Sequence, residues 1–244
     1  MPRKRKKDES LPEEKKVILA LLDKIKAGLV PTSQTHAVWD KIYSYKKVYI
    51  KNISSQSWNS FIGGVFEDLV YYILKNYISQ LSQKKEFKNI RLFTENEIEA
   101  NDYLHQKLSI KYGPKERLLP DTDMAIVDFN EREPRMSQIV AIISCKTSLR
   151  ERIAQACYWK LKLRDSPTTS HVQVYLATSD NDEDFVPKKN GDRTRDRIIA
   201  EFELDGIYIL RGDFKHEWES KNVKQYEKIF DDVTKIFNKL RRHP

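Results

Sequence analysis

The chain has 244 residues, of which 39% are apolar and 33% charged, and its formal net charge is +8. Its length allows one large domain or two small ones, and the excess of positive charge calls for an acidic partner, nucleic acid first. No apolar run approaches membrane-spanning length and the N-terminus has no apolar signal region, so no membrane partner is expected and a cytoplasmic location is. Two cysteines, Cys145 and Cys157, lie in apolar patterns without metal-ligand spacing, as in a reduced intracellular protein.

Residues 1–10 carry the basic cluster Pro2-Arg3-Lys4-Arg5-Lys6-Lys7 and read as a disordered, solvated tail. A helix is predicted over 11–28. Pro12, Glu13 and Glu14 suit its first turn, Val17, Ile18, Leu21, Leu22 and Ile25 form its apolar stripe, and Gly28 and Pro31 end it. A second helical pattern runs over 34–46, with Val38, Trp39, Ile42 and Tyr43. Ser54 to Ser57 then cap the longest helix, from 58 to about 83, whose wide apolar stripe calls for burial. Gly63 and Gly64 inside it cost roughly 1 kcal/mol each relative to alanine, which suggests close approach of another backbone. Glu67 follows, on the solvent edge of the helix or reaching toward a metal.

A strand is expected at 90–93, a short helix over 95–108, a strand over 124–129, a turn at 130–135 and a strand from Ser137 to Lys146. The near-continuous apolar run of the last fits a central strand covered on both faces. The two strands would pair as a hairpin, bringing Asp121 or Asp123 at the start of one beside Lys146 at the end of the other. Alternation along the strand puts Ser144 and Lys146 on one face and turns Cys145 toward the core. Beyond it, a helix is predicted over 149–164, a strand over 172–177, a short helix over 193–203, a strand over 206–210 and a terminal helix over 218–241. The order gives an α/β protein with a mixed central sheet.

Phosphodiester hydrolysis needs an oriented water, neutralised phosphate charge and a stabilised leaving oxygen, which a carboxylate-held magnesium ion serves. Asp121, Asp123 and Glu67 are candidate oxygen ligands, and Lys146 a candidate group for the phosphate charge or the water. Ser144, two residues before the lysine, is positioned to join through a hydrogen bond or a metal-bound water. After the lysine, Arg150 and Arg152 match guanine O6 and N7, and Glu151 matches cytosine N4, the two needs of a G·C pair. Gln155 extends that segment. Lys160, Lys162 and Arg164 beyond it suit either phosphate contacts or a solvated face. The five histidines are scattered singly, and no Gly-rich phosphate loop appears.

Pro120-Asp121 followed by Ser144-Cys145-Lys146 resembles the PD-(D/E)XK nuclease signature, with serine where the second acidic residue usually stands. The run Lys146-Thr147-Ser148-Leu149-Arg150-Glu151-Arg152 is similar to that of type II restriction endonucleases reading CCGG or CC-GG cores, in which that acidic position is also replaced. The resemblance covers roughly residues 58–180. It implies a restriction-endonuclease-like core with an N-terminal helical region over 11–50 and a catalytic and recognition domain over 51–244. It also implies a Mg2+-dependent homodimer, with higher assembly open, that cuts double-stranded DNA at a palindromic G/C-cored site protected by a cognate methyltransferase. Glu67 would supply the displaced carboxylate, and either Asp121 or Asp123 the main ligand. A structure-specific repair or resolvase-type nuclease of the same superfamily, and a non-catalytic DNA-binding protein, are the alternatives.

Overall fold

The structure, a computed structural model, describes residues 12–149 and 152–242. The basic cluster at residues 2–7 and two of the expected base-reading residues, Arg150 and Glu151, lie outside that range.

Four helices open the described chain: α1 (Glu13–Lys26), α2 (Thr35–Ser44), α3 (Lys46–Asn52) and α4 (Ser55–Ser82). Strand β1 (Ile90–Thr94) leads into α5 (Glu95–Glu99) and α6 (Asp102–Leu108), followed by a small hairpin of β2 (Ile110–Lys111) and β3 (Arg117–Leu118). Next come β4 (Met124–Asp128), β5 (Gln138–Lys146), α7 (Arg152–Asp165), β6 (Gln173–Thr178), α8 (Arg195–Glu203), β7 (Gly206–Ile209), β8 (Val223–Gln225) and α9 (Lys228–Arg242).

The main sheet has the order β1-β4-β5-β6-β7-β8. β1, β4 and β5 are antiparallel neighbours, and β5 through β8 run parallel, so the sheet is mixed as the sequence indicated. β5 is central and buried along nearly its whole length. One apolar layer, with Val140, Ile143 and Cys145, packs against α1, α2, α4 and α9; the other, with Ile139 and Ile142, packs against α6, α7 and α8. Cys145 thus turns into the core while Ser144 and Lys146 take the opposite direction, as the period-2 alternation requires.

The long helix α4 starts where the Ser54 hydroxyl accepts the Ser57 N–H at 3.1 Å. Its residues Trp58, Ile62, Val65, Phe66, Leu69, Val70, Ile73 and Leu74 are buried at helical spacing. The same apolar layer takes in Ile18, Leu22 and Ile25 of α1 and Trp39 and Ile42 of α2, so the N-terminal helices share the core of the sheet. The close backbone approach suggested by Gly63 and Gly64 is not found: a Cβ added at either would meet nothing within 4 Å.

Four features differ from the sequence reading. The helix expected over 95–108 is two short ones, because the Asn101 side chain accepts the Leu104 N–H and starts a new turn. The terminal helix begins at Lys228, not 218, because residues 223–225 add a parallel strand to β7. In that case sheet pairing overrides the helical spacing of Val223 and Tyr226. The hairpin of β2 and β3 and the short α3 were not anticipated.

Candidate active site

Pairing of Met124 with Ile143 aligns the residues just before β4 with those that end β5. There the Lys146 Nζ lies 3.4 Å from Asp123 Oδ2 and 3.8 Å from Asp121 Oδ2. The expected meeting of the acidic turn with the strand-ending lysine is therefore present. The turn is pinned from inside: the buried Thr122 hydroxyl donates to the Met124 carbonyl at 2.9 Å.

The two aspartates are not equivalent. Asp123 continues the ladder, its N–H donating to the Ile143 carbonyl at 3.1 Å, and its Oδ2 accepts the Cys145 N–H at 2.5 Å. Its side chain is 16% exposed against 35% for Asp121. Asp123 is the better fixed of the two. Ser144 is buried, and its hydroxyl donates to the Asp121 carbonyl at 3.0 Å, so its hydrogen serves the turn and not Lys146. Burial pushes the Cys145 thiol well above its usual range, so the residue between Ser144 and Lys146 is a neutral packing group.

Glu67 on α4 feels the same cluster. Desolvation raises its carboxyl pKa first, and the charges of Asp123 and Asp68 raise it further, against the lowering effect of Lys146. Glu95 was missed by the sequence reading. Its N–H donates to the Asp123 carbonyl at 3.2 Å, and desolvation, then Glu99, Asp123 and Asp121, raise its pKa. The signal for it lies in the pairing of β1 with β4, where Thr94 stands opposite Met124; nothing local to Glu95 reveals it.

These are hard oxygen donors around one strand end, the donor type magnesium takes. Among the described residues no three His, Cys, Asp or Glu side chains converge tightly enough to hold an ion, and the Lys146 ammonium stands within 4 Å of both aspartates. The residues fit the ion in donor chemistry and in sign of charge: burial first, and neighbouring carboxylates second, raise the pKa values of Glu67 and Glu95, and a bound cation would offset both.

From Lys146 a short linker leads to α7. The Thr147 carbonyl accepts the Asn181 N–H at 3.1 Å and the Ser179 hydroxyl at 3.2 Å, and Leu149 is buried. Arg152 and Gln155 are exposed at the start of α7. Lys160 is not available to phosphate. It is buried, with its ammonium bound to Asp205 Oδ2 at 2.5 Å and to the Val172 carbonyl at 3.3 Å.

The loop holding Thr147 turns on Asp180, which has a positive φ of 50° and is 1% exposed. Its carboxylate accepts the N–H groups of Asp184 and Phe185. Burial pushes its pKa up to about 7, against the lowering effect of those N–H groups and of Arg211. A carboxyl raised in the fold favours folding most when protonated. This contribution is full below the unfolded value near 4 and is lost as pH rises through about 7. Asp180→Asn is therefore expected to gain stability relative to the parent between pH 4 and 7, on the order of 4 kcal/mol. Urea denaturation of both proteins across that range checks it; a constant difference would contradict the assignment.

Among the described residues no helix is long and apolar enough to cross a membrane. A family model described as BsaWI restriction endonuclease type 2 matches residues 96–232, which span Asp121, Asp123 and Lys146 but not Glu67. A protein of Methanocaldococcus jannaschii that carries the name of a type II restriction enzyme, MjaVIP, is 39% identical over 190 residues, covering 78% of this chain and 80% of its own. A Helicobacter pylori protein bearing the name of a type II restriction enzyme, HpyAORF263P, is 30% identical over 142 residues, or 57% of this chain and 69% of its own.

Proposed function

Since the chain belongs to the BsaWI family of type II restriction endonucleases, a family of DNA hydrolases, we propose that it is a Mg2+-dependent nuclease cutting double-stranded DNA at a short palindromic G/C-cored site. The observation that carries this reading is the Lys146 ammonium within 4 Å of both Asp121 and Asp123, at the end of the central strand and one short linker from the start of α7. Asp123, Asp121 and Glu67 are the residues that would hold the ion. When bound, magnesium supplies polarisation of the phosphoryl group and a more acidic water. Lys146 neutralises charge on the scissile phosphate and orients the attacking water. Ser144 holds the Asp121 turn through its carbonyl, and so keeps a carboxylate at that position.

Recognition falls to Arg150, Glu151 and Arg152, with Gln155 following on α7, through the hydrogen-bonding edges of G·C pairs. A palindrome is read by two copies related by two-fold symmetry, so a homodimer is the working assembly, with higher assembly open. The helices of 11–50 act as an accessory region to a catalytic domain over 51–244. The setting is the cytoplasm, beside a methyltransferase that marks the same site.

Incubating the protein with a plasmid of known sequence and Mg2+, then sequencing the ends, tests the reading. Discrete fragments ending at one repeated sequence are the expected result. Uncut DNA, or nicks that follow DNA structure rather than sequence, would overturn site-specific cleavage.

A further inference from the structure

Directly beside the catalytic strand end lies a polar cleft of about 380 Å³, within the range of ligand-sized pockets. One wall is N-terminal: Tyr43 of α2, Lys46 of α3 and Asn59 of α4. The facing wall is the linker that follows Lys146, with Thr147 and Ser148, and then Arg152 of α7. Asp182 is the acidic residue among the described lining residues. The cleft therefore joins the N-terminal helices to the segment between the catalytic lysine and the base-reading residues.

Lys46 is the informative side chain. It is half-buried, its ammonium donates to the Tyr43 hydroxyl at 2.7 Å, and it sits 4.9 Å from the centre of the Tyr43 ring. Among the described residues no carboxylate pairs with it, unlike Lys160 or Lys224, which are held by Asp205 and Asp232. An ammonium held in place by a tyrosine, yet without a counter-charge, on a wall of hydroxyls and amides, suits an anion. Of the anions available to this protein, the phosphodiester backbone next to the bases being read is the one that must pass the linker. Asn59, Gly63 and Glu67 stand four residues apart along one face of α4, and a Cβ added at Gly63 would meet nothing within 4 Å.

We propose that Lys46, oriented by Tyr43, binds a DNA phosphate in this cleft and positions the strand between the reading segment and the catalytic cluster. This makes the N-terminal helices part of the DNA-binding surface, and it rests on the reading of the protein as a DNA-cutting enzyme. Lys46 is a positioning residue; it does not touch the scissile phosphate.

The test is the salt dependence of binding to a mixed-sequence DNA duplex, measured by fluorescence anisotropy without magnesium. Each neutralised phosphate contributes a slope of about 0.9 in log affinity against log salt. Lys46→Gln is expected to lower the slope by about that amount and to weaken affinity about eightfold at 0.1 M salt. Lys46→Arg should keep the slope. Lys85→Gln, beyond the far end of α4 and about 40 Å along its axis, should change neither quantity. Thermal denaturation of each variant separates loss of fold from loss of contact, since a merely structural Lys46 would move the melting temperature and leave the slope alone. A parental slope in a folded Lys46→Gln overturns the proposal while leaving the nuclease reading intact. A parent protein that neither binds nor cuts DNA overturns both.

Discussion

Replacing Lys146 by alanine is expected to slow DNA cleavage by about a thousandfold, on the order of 4 kcal/mol of transition-state stabilisation, while DNA affinity changes by less than about tenfold. The asymmetry follows from position. Lys146 is the cation that the structure holds within 4 Å of both Asp121 and Asp123, and its side chain is only 16% exposed. Charge placed there acts on the phosphate as it becomes more negative, whereas ground-state binding draws on many phosphate contacts. Arginine should not rescue the loss. The planar fork of a guanidinium does not fit where a compact ammonium stands. Single-turnover cleavage with Mg2+, run beside a binding titration, measures both quantities. A Lys146→Ala protein that cuts within tenfold of the parent would remove the residue from the chemistry.

The second large effect separates the two aspartates. Asp123→Asn is expected to reduce cleavage by about a thousandfold, and Asp121→Asn by about ten- to a hundredfold. Asp123 is tied into the ladder through its own N–H and fixed by the Cys145 N–H and Lys146, whereas the Asp121 carboxylate is more exposed and reaches Lys146 at 3.8 Å. A ligand must be held in place before the reaction to serve it, and the better-held carboxylate is the more useful one. Asparagine keeps an oxygen to accept the Cys145 N–H, so Asp123→Asn should fold normally, which circular dichroism confirms or denies. A larger loss for Asp121→Asn would assign the main role to the residue that directly follows Pro120.

Much of this was legible in the chain itself. The apolar run ending in Lys146 is long and flanked by turn residues, so strand, burial and the direction of Cys145 all followed from period-2 alternation. The acidic turn could be placed beside Lys146 because a hairpin with a short connection has one plausible pairing. The order of the two aspartates was not legible. It depends on which carboxylate meets the Cys145 N–H, a cross-strand detail that spacing does not encode. Glu95 was invisible because it joins the cluster through a strand some thirty residues before β4. Gly63 and Gly64 misled because a helix-weakening pair was read as a packing contact within the protein, whereas the space beside them is open.

The shared core has a consequence for how the protein is made. Ile18 of α1, Cys145 beside Lys146, Tyr226, and Phe237 of α9 all enter one apolar layer. No early portion of the chain can bury that layer by itself, and contacts spanning most of the sequence are slow to form. At about 5–20 residues per second, roughly ten to fifty seconds of synthesis separate the first helix from the last. From the completion of β5 at Lys146 to the end of α9, about 5–20 seconds at that rate, the strand lacks its covering helix. The emerging polypeptide therefore carries Asp121, Asp123 and Lys146 before it has the helix that backs their strand.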